Sequence, residues 1–391
     1  MINSTLDRVL LKIEGENTEP SVIFFCGIHG NEPAGVLAIQ ELRERLERMS
    51  MKGSLYVFRG NIKAFQEGVR YIDKDLNRLW SRSGIDEMCK GVLRGAAEYE
   101  EQRALYEEIK NIINTKTGPL FFVDFHTTSS KTLPFITIDD AIINRRFSKL
   151  FPVPTVLGIE EYLNGPLLSF INQLGFLSIG FESGEHHDAE AVLNAKAFML
   201  LTLCYSGLVD PNDLEDFNDH FNRLKKASDG KAHFYEVIER YTIKENEMFV
   251  MEPGFKSFQE VNKGELLAKS NGEPVLAKNN AMLFMPLYQP QGNDGYFLIR
   301  RISSFFLRLS TYLRGNRLDS VLVYLPGVTW NSLKKDALKV NLRVARFLAR
   351  PIFHLLGYRH YEEEGAYLIM YNRERTTRTH RYNDLKWFQA K

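Results

Sequence analysis

Cysteine is scarce in this chain of 391 residues: Cys26, Cys89 and Cys204 are the only three. An odd number cannot all pair within one chain, and their spacing matches no zinc knuckle. A disulfide-stapled scaffold is excluded, and the cytoplasm is the expected compartment. Long apolar runs are also missing. A membrane span needs about 18 or more uninterrupted apolar residues, and the best candidate, Ala189 to Val209, is broken by Glu190, Asn194 and Lys196. Met1 to Lys12 mixes acidic and basic residues with apolar ones, so no secretion signal is expected there. Internal repeats and low-complexity tracts are absent, which argues against a solenoid or a disordered linker. Net charge is close to nil at +1, but it is unevenly spread. Arg300 to Lys391 holds 18 Lys and Arg against 7 Asp and Glu, so this segment carries +11 and the preceding residues carry −10. A basic tail of this kind reads as solvated or docked surface, and no nucleic-acid partner is expected.

What is present is an ordinary globular composition, 44% hydrophobic and 25% charged, in a chain long enough for two or three domains. Apolar, β-rich runs alternate with segments of helical period through about residue 207. Strands are expected at Val22 to Cys26, Leu55 to Phe58, Leu120 to Phe125, Phe135 to Ile138, Thr155 to Leu157 and Leu177 to Phe181. Between them lie helices such as Pro33 to Met49, where Val36, Ile39, Leu42 and Leu46 share a face. This alternation predicts an α/β fold, a mostly parallel mixed sheet covered by helices, with ligands bound beyond the strands' carboxyl ends. From about Lys231 to Arg301, short runs broken by Gly and Pro predict a small β domain. Ile302 to Leu313 and Ser332 to Leu348 read as helices, with Arg343, Arg346 and Arg350 on one face of the second. The expected organisation is a catalytic domain over 1–228, a small β domain over the active site at 229–301, and a basic, mainly helical extension at 302–391.

Chemistry is suggested first by Val22-Ile-Phe-Phe-Cys-Gly-Ile-His29-Gly-Asn-Glu32-Pro33, where an apolar run leads into a glycine-flanked turn bearing an imidazole and a carboxylate. A third candidate ligand, His126, ends the run Leu120-Phe-Phe-Val-Asp124-Phe-His126. Two histidines and a glutamate would leave one tetrahedral position of a zinc ion open to water, as in catalytic sites. Arg70, Asn77 and Arg78 lie close together in Arg70-Tyr-Ile-Asp-Lys-Asp75-Leu-Asn77-Arg78, where guanidinium forks could clamp a carboxylate and polarise a carbonyl. Glu182, delivered by a later strand, could carry a proton from water to a leaving nitrogen.

Taken in order, these residues resemble the succinylglutamate desuccinylase/aspartoacylase family, within the wider zinc metallocarboxypeptidase group. The resemblance covers roughly residues 20 to 300, and the Arg70 to Arg78 block is its most specific element. It implies a zinc carboxypeptidase-like fold and one zinc ion per chain, held by His29, Glu32 and His126. It further implies Glu182 as general base and acid, and Arg70 as the group that stabilises the oxyanion, worth about 3 kcal/mol in comparable sites. Asn77, Arg78 and Tyr288 would bind substrate, while Asp75 and Asp124 would brace the ligands from behind. One departure concerns substrate: aspartoacylase places a substrate-binding arginine ten residues before its catalytic glutamate, and this chain has Asn172 there. The cluster Glu185, His186, His187 and Asp188 reads as polar loop.

The expected activity is zinc-dependent hydrolysis of the amide in a small N-acyl amino acid, the substrate being the one expected partner; a homo-oligomer is compatible with the sequence. Two alternatives stay open, a metallocarboxypeptidase acting on peptides and a non-catalytic binding protein on the same frame.

Overall fold

A computed structural model describes residues 7–333, 335–344 and 350–389. Its backbone is one extended sheet. In spatial order the strands, numbered along the chain, are β1 (Val9–Ile13), β3 (Ser54–Arg59), β2 (Ser21–Cys26), β4 (Leu120–Thr128), β7 (Leu177–Glu185), β5 (Phe135–Ile138), β6 (Thr155–Leu157), β8 (Phe234–Thr242), β14 (Asp294–Arg301), β13 (Ala281–Phe284) and β10 (Gln259–Val261). The core, β3-β2-β4-β7, is parallel; β1 and β5 pair antiparallel at its two sides. All of β2, β3 and β4 is buried, as a parallel strand covered on both faces requires.

Successive residues of β2 enter opposite cores. Val22, Phe24 and Cys26 pack under the helices Ala34–Arg48, Ala189–Tyr205 and Phe217–Ala227, while Ile23 and Phe25 pack under Arg82–Cys89, Ala97–Thr115 and Leu167–Gln173. All six expected strands are present. β4 runs on past its expected end through His126 to Thr128, and β7 runs on to Glu185. These extensions carry the polar residues of the site.

The expected boundary at 228/229 falls between a helix and β8, and the sheet runs on across it: β8 joins β6 in parallel, then β14, β13 and β10 continue antiparallel. A second sheet, β12 (Glu273–Leu276), β11 (Leu266–Ser270) and β9 (Phe249–Met251), lies beside this part.

The carboxyl-terminal segment departs from expectation. Its first helix is present as Ser304–Gly315, but residues 332 to 348 are not a helix over their described part. Instead β15 (Val328–Trp330) and β16 (Ala337–Asn341) form a hairpin within a four-stranded antiparallel sheet ordered β15-β16-β18-β17, with β18 at Tyr367–Asn372 and β17 at Tyr358–Glu364. Arg343 is exposed in the turn after β16, and Arg346 lies outside the described residues. The physical reason is pairing. Leu338 and Val340 alternate into a core with Val328, Tyr358 and Met370, and five residues are too few for periodicity to separate strand from helix.

This segment is docked on the rest of the protein through buried polar contacts. Asp140, buried just past β5, meets Arg145 (2.5 Å), Arg314 (2.9 Å) and Arg359 (2.6 Å). Farther on, the Tyr382 hydroxyl donates to Leu120 O (2.6 Å) and accepts from Leu177 N (3.1 Å), tying the tail to the amino ends of β4 and β7. Trp387 packs against Phe147 and Phe121.

Candidate active site

Three chain segments converge at the carboxyl edge of β2, β4 and β7. After β2 the chain turns at Gly27 (φ +71°), and Gly30 sits so close to the next layer that a Cβ there would lie 2.1 Å from the carbonyl carbon of Ala64. Only glycine permits this approach, and it presents His29 inward. Glu32 lies just before the helix Ala34–Arg48. His126 and Glu182 are register partners on β4 and β7.

The two histidines and Glu32 are buried and mutually close. Glu32 Oε1 lies 2.8 Å from His29 Nδ1, and its Oε2 lies 2.9 Å from His126 Nδ1. The opposite ring nitrogens are both engaged: His29 Nε2 with Asp75 Oδ1 at 3.1 Å, His126 Nε2 with Asp124 Oδ2 at 2.7 Å. Donation of the Nε2 protons to these carboxylates leaves each Nδ1 a lone pair aimed at a carboxylate oxygen. That juxtaposition is repulsive unless protons or a cation lie between. Burial alone would lower the His126 pKa, but Asp124 and Glu32 outweigh it and hold the ring well above its ordinary value. One potential ligand atom from each of His29, Glu32 and His126 falls within 4.8 Å of the others, so the trio could hold a metal ion. Imidazoles backed by carboxylates are what such a site requires.

Glu182 lines the same cleft, and its Oε2 is buried with no hydrogen-bond partner. Burial, with Glu32 and Asp124 adding their negative charge, pushes its carboxyl up to about 8. Arg70 reaches Asp75 Oδ2 (3.1 Å) and Glu32 Oε1 (3.4 Å). Asp75 therefore fixes both an imidazole and a guanidinium, and it also caps the short turn Leu76–Arg78 through Asn77 N (2.9 Å). Asn77 lines the cleft, and its Oδ1 accepts from Leu167 N (2.9 Å). Arg78 donates to Asp294 Oδ2 (3.0 Å).

The structure thus brings His29, Glu32, Arg70, Asn77, Arg78, His126 and Glu182 to one pocket. Tyr288 is not among its lining side chains. The Tyr288 hydroxyl donates to Glu252 O (2.7 Å) and accepts from Phe255 N (3.0 Å), because the loop after β13 turns it outward. Asn172 is also outside the pocket, its amide donating to Phe176 O (3.4 Å).

Several contributors carried no local signal in the sequence. Glu98, fully buried, accepts from the backbone N–H groups of Ile72, Asp73 and Lys74 and shapes the loop bearing Arg70. Gln291 accepts from Arg70 N (3.0 Å) and donates to Tyr71 O (3.1 Å). Gln289 accepts from Asn31 (2.9 Å) and lies 3.2 Å from His186 Nε2; His186 Nδ1 in turn lies 2.7 Å from Thr127 Oγ1. Burial lowers the His186 pKa, so its neutral ring accepts from Thr127 and donates to Gln289. The loop 286–292 is clasped over the site by these bonds.

A buried His-Glu-His cluster that could hold a metal ion thus stands at the carboxyl edge of the sheet, with an unpartnered carboxyl beside it. The family model for the succinylglutamate desuccinylase/aspartoacylase catalytic domain matches residues 18–200. A probable aspartoacylase of Acaryochloris marina is 26% identical over 164 residues, 40% of this chain and 52% of that protein. An N-acyl-aromatic-L-amino acid amidohydrolase (carboxylate-forming) B of Danio rerio is 34% identical over 110 residues, 27% of this chain and 33% of that protein. The matches therefore span a third to about half of these relatives' length. The crystal structure of a succinylglutamate desuccinylase/aspartoacylase from Rhodobacter sphaeroides shares the fold, with a TM-score of 0.55 at 17% identity over 75% of this chain and 88% of that one.

Proposed function

We propose that the protein is a zinc-dependent amidohydrolase that removes the acyl group from a small N-acyl amino acid. The observation that carries this reading is the juxtaposition of the His29, Glu32 and His126 cluster with the unpartnered Glu182 carboxyl in one cleft. His29, Glu32 and His126 would hold one zinc ion, which when bound lends Lewis acidity to an amide carbonyl and to water. Glu182 takes the proton from the attacking water and delivers it to the amide nitrogen as the C–N bond breaks, so the products are a carboxylate and a free amine. Arg70, held by Asp75 and Glu32, donates to the carbonyl oxygen as negative charge develops. The Asn77 amide and Arg78 bind the substrate carboxylate, and the clasped loop 286–292 limits water and length of substrate. The names of the relatives, aspartoacylase and N-acyl-aromatic-L-amino acid amidohydrolase, support this class of substrate.

The test is metal analysis of the purified protein combined with a screen of N-acyl amino acids, with and without a chelator. Expected is one zinc per chain, hydrolysis abolished by chelation and restored by zinc, and an inactive Glu182→Gln variant. Hydrolysis that survives metal removal refutes the reading. Release of terminal residues from peptides in its place would establish the carboxypeptidase alternative.

A further inference from the structure

Beyond the chemical centre, the pocket changes character. Ile159, Leu163, Leu168, Met285 and Leu287, all part-exposed, form an apolar wall that is completed by Phe297. Of these, Ile159, Leu163 and Met285 pack on a core that includes Phe297, Phe284 and Phe135, so the wall is backed and cannot readily be displaced by a polar group. Among the described residues no lysine lines the pocket, and the two guanidiniums there already have carboxylates. Arg70 holds Glu32 and Asp75; Arg78 holds Asp294, which Arg240 locks from its other side at 2.5 Å. A further acidic residue, Asp139, lines the far end, accepting from Ser169 Oγ (2.9 Å) with Arg373 behind it (2.8 Å). A substrate with one carboxylate can share Arg78 and Asn77. A second carboxylate would find no uncommitted cation and would face Asp139 or Asp294, at the cost of an unpaired buried charge.

We infer that the pocket selects a monocarboxylate substrate whose remaining group is uncharged and apolar, with Asp294, Asp139 and the Ile159 to Leu168 wall excluding dicarboxylates. This inference rests on the proposed deacylase reading and narrows it. The apolar group is either the amino-acid side chain or the acyl chain, and the test has an arm for each.

Zinc-loaded wild-type protein is assayed with N-acetyl-L-leucine, N-acetyl-L-phenylalanine and N-hexanoylglycine against N-acetyl-L-aspartate and N-succinyl-L-glutamate. In parallel, the same ligands are titrated calorimetrically into zinc-loaded Glu182→Gln protein. At least one apolar compound should exceed both dicarboxylates by about tenfold or more in kcat/KM and in affinity, the scale on which a hydrophobic pocket discriminates. Leu163→Arg and, separately, Asp294→Asn should each shift that ratio toward N-acetyl-L-aspartate, the first by adding a cation and the second by freeing Arg78. Hydrolysis with equal or greater preference for dicarboxylates overturns this inference and leaves the deacylase reading standing. Apolar ligands bound by the variant but untouched by the wild type overturn the deacylase reading and leave the pocket assignment standing. Failure of every apolar compound to bind overturns the inference.

Discussion

Replacing Asp140 with Asn should loosen the carboxyl-terminal segment from the rest of the protein. The Asp140 carboxylate is almost fully buried and receives Arg145 through Nε and Nη2 (2.5 and 2.8 Å), Arg314 through Nη2 (2.9 Å) and Arg359 through Nε (2.6 Å). Two of these three guanidiniums, Arg314 and Arg359, come from the segment beyond residue 301. Removing the charge from such a cluster leaves buried cations short of a partner and typically costs about 3–5 kcal/mol. Arg359 keeps Glu161 (2.7 Å), and Arg314 keeps the backbone oxygens of His354 and Asp140, so the cost should not exceed that range. With an unfolding entropy of about 2.1 cal/mol/K per residue, 391 residues convert it to a fall in Tm of about 4–6 °C. Burial raises the Asp140 pKa, but Arg145, Arg314 and Arg359 outweigh it and hold it well below its ordinary 3.8. A depressed carboxyl pKa stabilises the fold above the unfolded value and loses that contribution as pH falls through the folded one. The wild type should therefore lose stability below about pH 4 in a way Asp140→Asn does not. Differential scanning calorimetry across pH, with limited proteolysis at the 302–389 segment, reads both effects. A change in Tm under 1 °C, with proteolysis unaltered, would refute the reasoning.

Three other outcomes follow from single contacts. Asp124→Asn weakens the hydrogen bond that orients His126, and it should lower zinc affinity by about 10–100-fold in a chelator competition; unchanged affinity would count against Nδ1 as the ligand atom. Gly30→Ala forces a Cβ into the Ala64 backbone, so zinc content by mass spectrometry should fall along with stability. Tyr382→Phe removes the hydroxyl that joins Leu120 O and Leu177 N, for which denaturant unfolding should show a loss of about 1–3 kcal/mol.

The parts of the molecule legible in its sequence are those whose signal is local. His29, Glu32, His126 and Glu182 each sit where an apolar strand ends in polar residues, and buried parallel strands announce themselves as continuous apolar runs. Asp75 and Asp124 are within a few residues of the block or strand they serve, and the family resemblance implied the bracing positions that their bonds to His29 and His126 now occupy. Asp294 and Gln289 could not be, because Arg78 and Asn31 lie more than 200 positions away in the chain. Glu98 sits in a helix whose neighbouring acidic residues conceal it. The hairpin from Val328 to Asn341 was hidden for another reason: short apolar runs satisfy strand and helix spacing equally, and the decision is made by pairing with the distant β18. Tyr288 shows the converse, a residue type suited to substrate binding whose side chain lies outside the pocket lining, its hydroxyl donating to Glu252 O.

The position of the carboxyl-terminal segment separates two demands on the fold. Its buried contacts fall on the amino ends of β4 and β7, through Tyr382, and on Asp140 just past the end of β5. The residues of the candidate metal site occupy the opposite, carboxyl ends of β2, β4 and β7, where Asp75 and Asp124 hold the imidazoles without help from that segment. Docking of the segment and the geometry of the candidate metal site are thus set by different residues at different edges of one sheet. One link remains, since Arg373 stands behind Asp139 and donates to Ser169 O (3.4 Å), and both Asp139 and Ser169 line the pocket's far end. Arg373→Ala should accordingly leave zinc affinity unchanged while altering KM among substrates that differ in the distal group. An equal loss of zinc affinity would show that the segment supports the metal site itself.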